Sequence, residues 1–335
     1  MSILRIASSG VLCLLMIVPT VVGQVREPNS RPAGGKVKST KLPTQRVTFD
    51  TDDKVPVTIV GSYTPPSADN RHSRSPMVIL LHAYGEDRSS FDPLVPVLHD
   101  AGFAVLAIDL RGHGESTEPA SLKLKSKVED RDPRVFRDMV ADVEAAYRWL
   151  ARRSEVDPAR FVLVGASVGA SIVLEYAARD KSVDGLVLMT PGLDYLGLNS
   201  SAAARKCKTD KLLVLASQDE RHAADELSHI VTGSQVRIVT GRGEDKPAGK
   251  SDEMALHGAR MFGQVAGVEK MIAHFAVTAA GQSSDKTVVA STKGEVYYES
   301  GSSQAARLSA DNLRVFSSPA EAEARGYRPP KQRHK

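Results

Sequence analysis

The 335-residue chain has two cysteines, Cys13 and Cys207. That is too few for a disulfide-stapled small scaffold, and a domain of this size does not need one. It has no strong excess of charge of either sign. The formal net charge is +4 and the basic residues are scattered, so nothing argues for a nucleic-acid partner. It has no apolar run of the ~20 residues that a membrane helix needs, and it has no internal repeats. What remains is ordinary globular composition, 41% apolar and 25% charged. At roughly 100–200 residues per domain, the length allows one large domain and a small one.

The N-terminus reads as a targeting segment. Arg5 gives a positive start and Val11–Val18 a short apolar run. Val21, Val22 and Gly23 form a small-residue cleavage site. Residues 1–23 are therefore expected to be a signal peptide, which makes the protein secreted or periplasmic with no stable membrane insertion after cleavage. Cys13 leaves with that segment. Cys207 then stands alone and carries no local sign of reactivity. Residues 24–44, rich in Pro, Gly, Lys, Ser and Thr, are expected to be a disordered linker.

From residue 45 the pattern changes. Val47–Phe49 and Val55–Val60 read as a strand pair. Apolar runs then recur at Met77–Leu81, Phe103–Asp109, Phe161–Val164, Leu186–Met189, Lys211–Ala216 and Gln235–Val239. Helical stretches separate them: Ser89–Asp100, 135–151, Ser167–Ala178, Asp225–Ile230 and Gly258–Ala279. In 135–151, Phe136, Met139, Val140, Val143, Ala146, Tyr147 and Leu150 form one apolar stripe. Fully apolar strands alternating with helices imply an α/β fold with a mostly parallel, doubly wound sheet. In such sheets ligands bind at the carboxyl ends of the strands.

The strongest motif is Gly165-Ala166-Ser167-Val168-Gly169, between the strand at 161–164 and the helix to 178. A sharp strand-to-helix turn exposes the Ser167 hydroxyl, and the flanking glycines allow the close approach it requires. The Val168 N–H then points where an oxyanion would develop.

With two further segments, Leu80–Gly85 and Ile108–Ser116, this motif makes residues 45–277 resemble the α/β-hydrolase family. Leu80-Leu81-His82-Ala83-Tyr84-Gly85 resembles its oxyanion loop. Asp109-Leu110-Arg111-Gly112-His113-Gly114-Glu115-Ser116 resembles its D-x-R-G-x-G-x-S segment. The resemblance implies an acyl-enzyme mechanism on a small-molecule ester, with no cofactor and no metal. It implies His257, before the final helix, as the base, and Asp219, after the strand at 211–216, as the acid. Asp194 is the alternative acid, and Glu220, the neighbour of Asp219, is set aside. Tyr84 N–H is implied as the second oxyanion donor. The chain has His82-Ala83 where the family often has His-Gly, so a different loop path is expected there. Only Thr190–Asp210 is available as a cap, which leaves room for one helix. A non-catalytic hydrolase-fold binding protein and a serine peptidase of the same fold are the alternatives to an esterase.

A linker at 280–286 precedes a small α+β unit, 287–335. Val288–Ser291 and Val296–Glu299 read as a hairpin, and Ser318-Pro319-Ala320-Glu321 as the start of a helix ending at Gly326. Through Val296-Tyr297-Tyr298, Asn312-Leu313-Arg314-Val315-Phe316-Ser317-Ser318-Pro319 and Ala322-Glu323-Ala324-Arg325-Gly326-Tyr327-Arg328-Pro329-Pro330, the unit resembles the small zinc-binding domain of the bacterial DNA-alkylation-repair protein Ada. Ser302, Pro330 and Arg333 stand where ligands are expected, so a metal-free docking or spacer module is implied, with its partner unknown.

Overall fold

The structure, a computed structural model, describes residues 42–67, 74–180, 183–240, 256–281, 288–299, 302, 304–308, 313–316 and 319–330. The expected signal peptide and linker residues 24–41 lie outside that range, as do Ser318 and Arg333. Packed chain begins slightly before the expected boundary at 45: Leu42 packs on the core, and Thr44 and Thr64 share a 2.8 Å hydroxyl hydrogen bond.

In chain order the elements are β1 (Gln45–Asp50), β2 (Thr58–Thr64), β3 (Ser75–Leu81), α1 (Val95–Asp100), β4 (Ala104–Ile108), α2 (Leu124–Glu129), α3 (Pro133–Asp138), α4 (Val140–Ala151), β5 (Val156–Ala166), α5 (Val168–Ala177) and β6 (Val183–Met189). They continue with β7 (Asp194–Tyr195), β8 (Leu198–Asn199), α6 (Ser200–Ala204), β9 (Leu212–Ser217), α7 (Arg221–Ile230), β10 (Gln235–Val239) and α8 (Val268–Ala279). The tail adds β11 (Val288–Ser291), β12 (Tyr297–Glu299), β13 (Leu313–Phe316) and α9 (Pro319–Ala324).

Eight strands form one sheet in the order β1-β2-β4-β3-β5-β6-β9-β10. From β4 to β10 every pairing is parallel, while β2 runs antiparallel to both β4 and β1. Every residue of β3 and β4 is buried. A strand covered on both faces has no polar side to alternate with, which is why these segments read as unbroken apolar runs. Alternate side chains feed two separate cores. Ile79, Leu81, Leu163 and Leu188 join α4, α5 and α7 on one face; Val78, Leu80, Val164 and Val187 join α1 and α8 on the other. Burying each such side chain stabilises the fold by about 1.5–3 kcal/mol.

Three expected helices are broken, each for a local reason. The 135–151 stripe is two helices. Asp132 caps α3 by accepting the Arg134 N–H at 3.0 Å, and the chain tightens at Met139, whose N–H bonds the Phe136 carbonyl. The Ser89–Asp100 stretch is a 3-10 turn at Arg88–Phe91 followed by α1. The 258–279 segment is a 3-10 turn at Gly258–Met261, then Gly263 and Gly267 at positive φ, and only then α8.

The tail forms its own three-stranded sheet, β12-β11-β13, with the expected hairpin antiparallel. A small core of Val288, Ala290, Tyr297, Phe316, Ala322 and Tyr327 holds it. The β13 strand lies beside α8.

Candidate active site

The turn from β5 to α5 places Ser167 at φ 52°, ψ −114°. A non-glycine residue rarely occupies that region, and holding one there costs about 1–3 kcal/mol. The surroundings enforce it. Ser167 N–H donates to the Met189 carbonyl at 2.8 Å, and the Ser167 carbonyl accepts from Ala170 N–H at 2.9 Å. The two glycines are required by backbone, not by turn type. A Cβ on Gly165 would sit 2.6 Å from Ala170 N and closer still to the Gly169 carbonyl. A Cβ on Gly169 would sit 2.7 Å from His82 O and closer to Leu81 O. The first turn of α5 therefore rests directly on the end of β3.

His257 precedes the 3-10 turn at 258–261, and its segment is brought onto the same edge. A Cβ on Gly258 would lie 3.3 Å from the Ala166 Cβ and 3.6 Å from the Ala83 Cβ. The His257 segment thus fits between the residue before Ser167 and the loop after β3. Gly258 N–H donates to Thr190 Oγ1 at 2.8 Å. Thr190 itself stands at φ 47°, and its N–H donates to the Leu215 carbonyl on β9 at 2.7 Å.

The carboxylate on the imidazole is that of Glu220, not of Asp219. His257 Nδ1 and Glu220 Oε1 are 2.6 Å apart, and the side chains are only 17% and 23% exposed, which keeps this hydrogen bond to a carboxylate poorly screened. The turn after β9 explains the one-residue difference. Glu220 N–H donates to the Ser217 carbonyl at 3.2 Å, and Ser217 Oγ donates to Glu220 Oε2 at 3.3 Å. That closure aims residue 220 inward and leaves Asp219 exposed, with no bond to His257. Asp194, the alternative acid, lies exposed in β7. The Ser167 hydroxyl makes no hydrogen bond among the described residues. The structure brings the serine and imidazole segments together without closing the contact between them.

Next to Gly258 lies the loop after β3. His82 is fully buried; its Nε2 accepts the Leu110 N–H at 3.0 Å, so Nδ1 carries the proton and donates to the Ala83 carbonyl at 2.8 Å. Burial holds its pKa down to about 3, and His113, whose ring lies 5.0 Å away, adds to the depression. Neutral His82 thus locks the loop after β3 to the end of β4. Ala83 is not among the residues at positive φ, so alanine is accommodated without strain. The Tyr84 ring packs against His113 and Phe136, with the Arg131 guanidinium 5.7 Å from its centroid. Among the described residues, neither Val168 N–H nor Tyr84 N–H has an acceptor. Two donors are therefore available at the serine's edge.

The segment after β4 serves as scaffolding. Buried Asp109 accepts from Arg88 N–H and Glu115 N–H, each at 2.8 Å, and pairs with the Arg88 guanidinium. A side chain on Gly114, at φ 48°, would collide with that carboxylate. Arg111 binds Asp142 through Nε at 2.7 Å and through its own N–H at 2.9 Å. Burial pushes the Asp142 carboxyl up to about 6 against the pull of Arg111.

The expected cap is small, as the Thr190–Asp210 gap requires: a β7–β8 hairpin and the short α6. It has a second part that the sequence pattern does not separate out, the α2–α3 excursion after β4. The two parts meet where Gly197, at φ 77°, packs on Pro133 and Arg137. Thr190 and Arg131 are passed over by sequence reasoning, and Glu220 is weighed there and set aside. A carboxylate beside Asp219 is the one visible signal among them.

Residues 76–221 match the family model described as the alpha/beta hydrolase fold. The chain has the α/β-hydrolase fold. A Pyrococcus furiosus esterase, Pf2001, superposes with a TM-score of 0.52 at 18% identity, over 72% of this chain and 94% of that one. An uncharacterized Mycobacterium tuberculosis protein is 29% identical over 193 residues, 57% of this chain and 59% of its own length. A thermostable monoacylglycerol lipase from a Bacillus species is 28% identical over 117 residues, 35% of this chain and 41% of its own length. The chain thus spans three-fifths or less of these two curated relatives.

Proposed function

We propose that this hydrolase-fold chain is an exported serine hydrolase of carboxylic esters. Ser167 is the nucleophile, His257 the general base, Glu220 the carboxylate that orients it, and Val168 and Tyr84 N–H the oxyanion donors. One observation carries the reading. A serine in the strained turn of β5–α5 shares its sheet edge with an imidazole already hydrogen-bonded to a carboxylate, and Gly258 is wedged between Ala166 and Ala83. A hydroxyl needs a base to attack at neutral pH. His257 Nε2 would take the Ser167 proton as Oγ attacks the ester carbonyl, and Glu220 would stabilise the imidazolium. The proton then passes to the departing alcohol. Water, deprotonated by the same imidazole, releases the acid from the acyl-enzyme. The esterase and monoacylglycerol lipase likenesses support ester over amide substrates, and the short cap supports an open cleft over a deeply enclosed one.

The test is hydrolysis of p-nitrophenyl acetate and butyrate by the wild type and by Ser167→Ala, with fluorophosphonate labelling of both. Turnover and labelling that vanish in the variant support the reading; equal rates in the two proteins would overturn it. The open Ser167–His257 contact favours one second reading, a non-catalytic binding protein, which predicts no turnover by either. Export is tested by finding the protein outside the inner membrane with Gln24 as its first residue.

A further inference from the structure

We infer that Thr190 is a positioning residue for the hydrolytic site, setting the separation between nucleophile and base. The inference rests on the Ser167–His257–Glu220 reading above. Thr190 follows the last residue of β6 and stands at φ 47°. A β-branched residue at positive φ is a strained outlier, and such strain persists only where the surroundings over-determine it. Three bonds do so, and each leads to a different member of the site. The Met189 carbonyl, one residue earlier, accepts the Ser167 N–H at 2.8 Å. Thr190 Oγ1 accepts the Gly258 N–H at 2.8 Å, directly after His257. Thr190 N–H donates to the Leu215 carbonyl at 2.7 Å, two residues before Ser217, which in turn bonds Glu220.

Thr190 is 2% exposed, so its hydroxyl is not exchanging partners with water. Of the bonds Thr190 makes among the described residues, the hydroxyl supplies the side-chain one, and it holds the backbone next to the imidazole. Glu220 fixes the ring at Nδ1, but a ring tethered at one nitrogen can still pivot. The Gly258 bond fixes the other end, which determines how far Nε2 stands from Ser167 Oγ. Removing the hydroxyl would leave a buried N–H without an acceptor and release the base segment toward solvent.

The test compares Thr190→Val, Thr190→Ser and Thr190→Ala on p-nitrophenyl butyrate. Valine keeps the branching and the strain and deletes only the acceptor; serine keeps the acceptor. A misplaced base lowers kcat, by about tenfold to a hundredfold for displacements near an ångström. Thr190→Val and Thr190→Ala are expected to show that loss with KM within about twofold, and Thr190→Ser to recover most of kcat. If Thr190→Val does not fold, the serine–alanine pair decides the same question. A kcat for Thr190→Val near wild type, or a serine variant as slow as the alanine one, would overturn the inference and leave the esterase reading standing. A wild type that turns over no ester and takes no fluorophosphonate overturns both.

Discussion

Changing Glu220 to Gln removes a charge and little else, and it separates the two neighbouring carboxylates. At 2.6 Å, with both side chains less than a quarter exposed, the Glu220–His257 contact is a charge-assisted hydrogen bond in a poorly screened place. Such bonds contribute about 1.5–3 kcal/mol, and each 1.4 kcal/mol is about tenfold. In the transition state the imidazole becomes a cation, and an amide partner no longer stabilises it. An amide can also hold the wrong tautomer, which in Ser-His-Asp enzymes costs kcat about 10⁴-fold. We therefore expect Glu220→Gln to lower kcat by about 10–10⁴-fold, the upper end if the amide holds the wrong tautomer, with KM little changed. Glu220→Asp, one methylene short of the imidazole, should fall between. Asp219→Asn touches an exposed side chain and should stay within about threefold, as surface changes do. Steady-state kinetics on p-nitrophenyl butyrate across the three variants is the assay. A larger loss for Asp219→Asn than for Glu220→Gln would show that the wrong carboxylate has been chosen.

Three further outcomes follow from the packing. Gly169→Ala drives a methyl into the Leu81 and His82 carbonyls. It should cost about 2–3 kcal/mol, visible as a Tm lowered by several degrees together with lost fluorophosphonate labelling; a wild-type Tm would contradict this. The His82 imidazole titrates at about 3 when folded and near 6.5 when unfolded. The unfolded chain therefore binds more protons between those values, so this contribution to stability is whole above pH 6.5 and is lost as pH falls toward 3. His82→Gln should be less stable at pH 7 but lose less between pH 7 and pH 4 in urea titrations; parallel curves would refute the assignment. Gly197→Ala, strained at φ 77° and blocked 2.6 Å from the Pro133 Cβ, should loosen the cap hairpin and raise KM more than it lowers kcat.

The parts of this fold that depend on burial are legible in the order of the amino acids alone. Strands covered on both faces read as apolar runs, so β3, β4 and β6 stand out; the edge strand β10, with alternate residues exposed, is located to the residue by its own pattern. The elbow is legible because its residues follow one another in five consecutive positions, although the contact that forbids a side chain at Gly169 comes from the distant Leu81 and His82 carbonyls. What escapes depends on turns that amphipathic periodicity does not encode. Met139 continues the apolar stripe while the backbone breaks there. α2 has two buried apolar residues, Leu124 and Val128, too few to register as a stripe. The choice between Asp219 and Glu220 rests on a single hydrogen-bonded turn at Ser217, which rotates one carboxylate inward and its neighbour out.

Because α5 sits without any spacer on the backbone at the end of β3, Ser167 and the loop after β3 behave as one casting. A substitution cannot improve the fit of one to a new acyl group without displacing the other. On the proposed esterase reading, adaptation to different esters is therefore channelled into the two inserted pieces, α2–α3 and the β7–β8 hairpin. These touch each other at Gly197 and can lengthen, shorten or swing apart while the reactive block stays as it is.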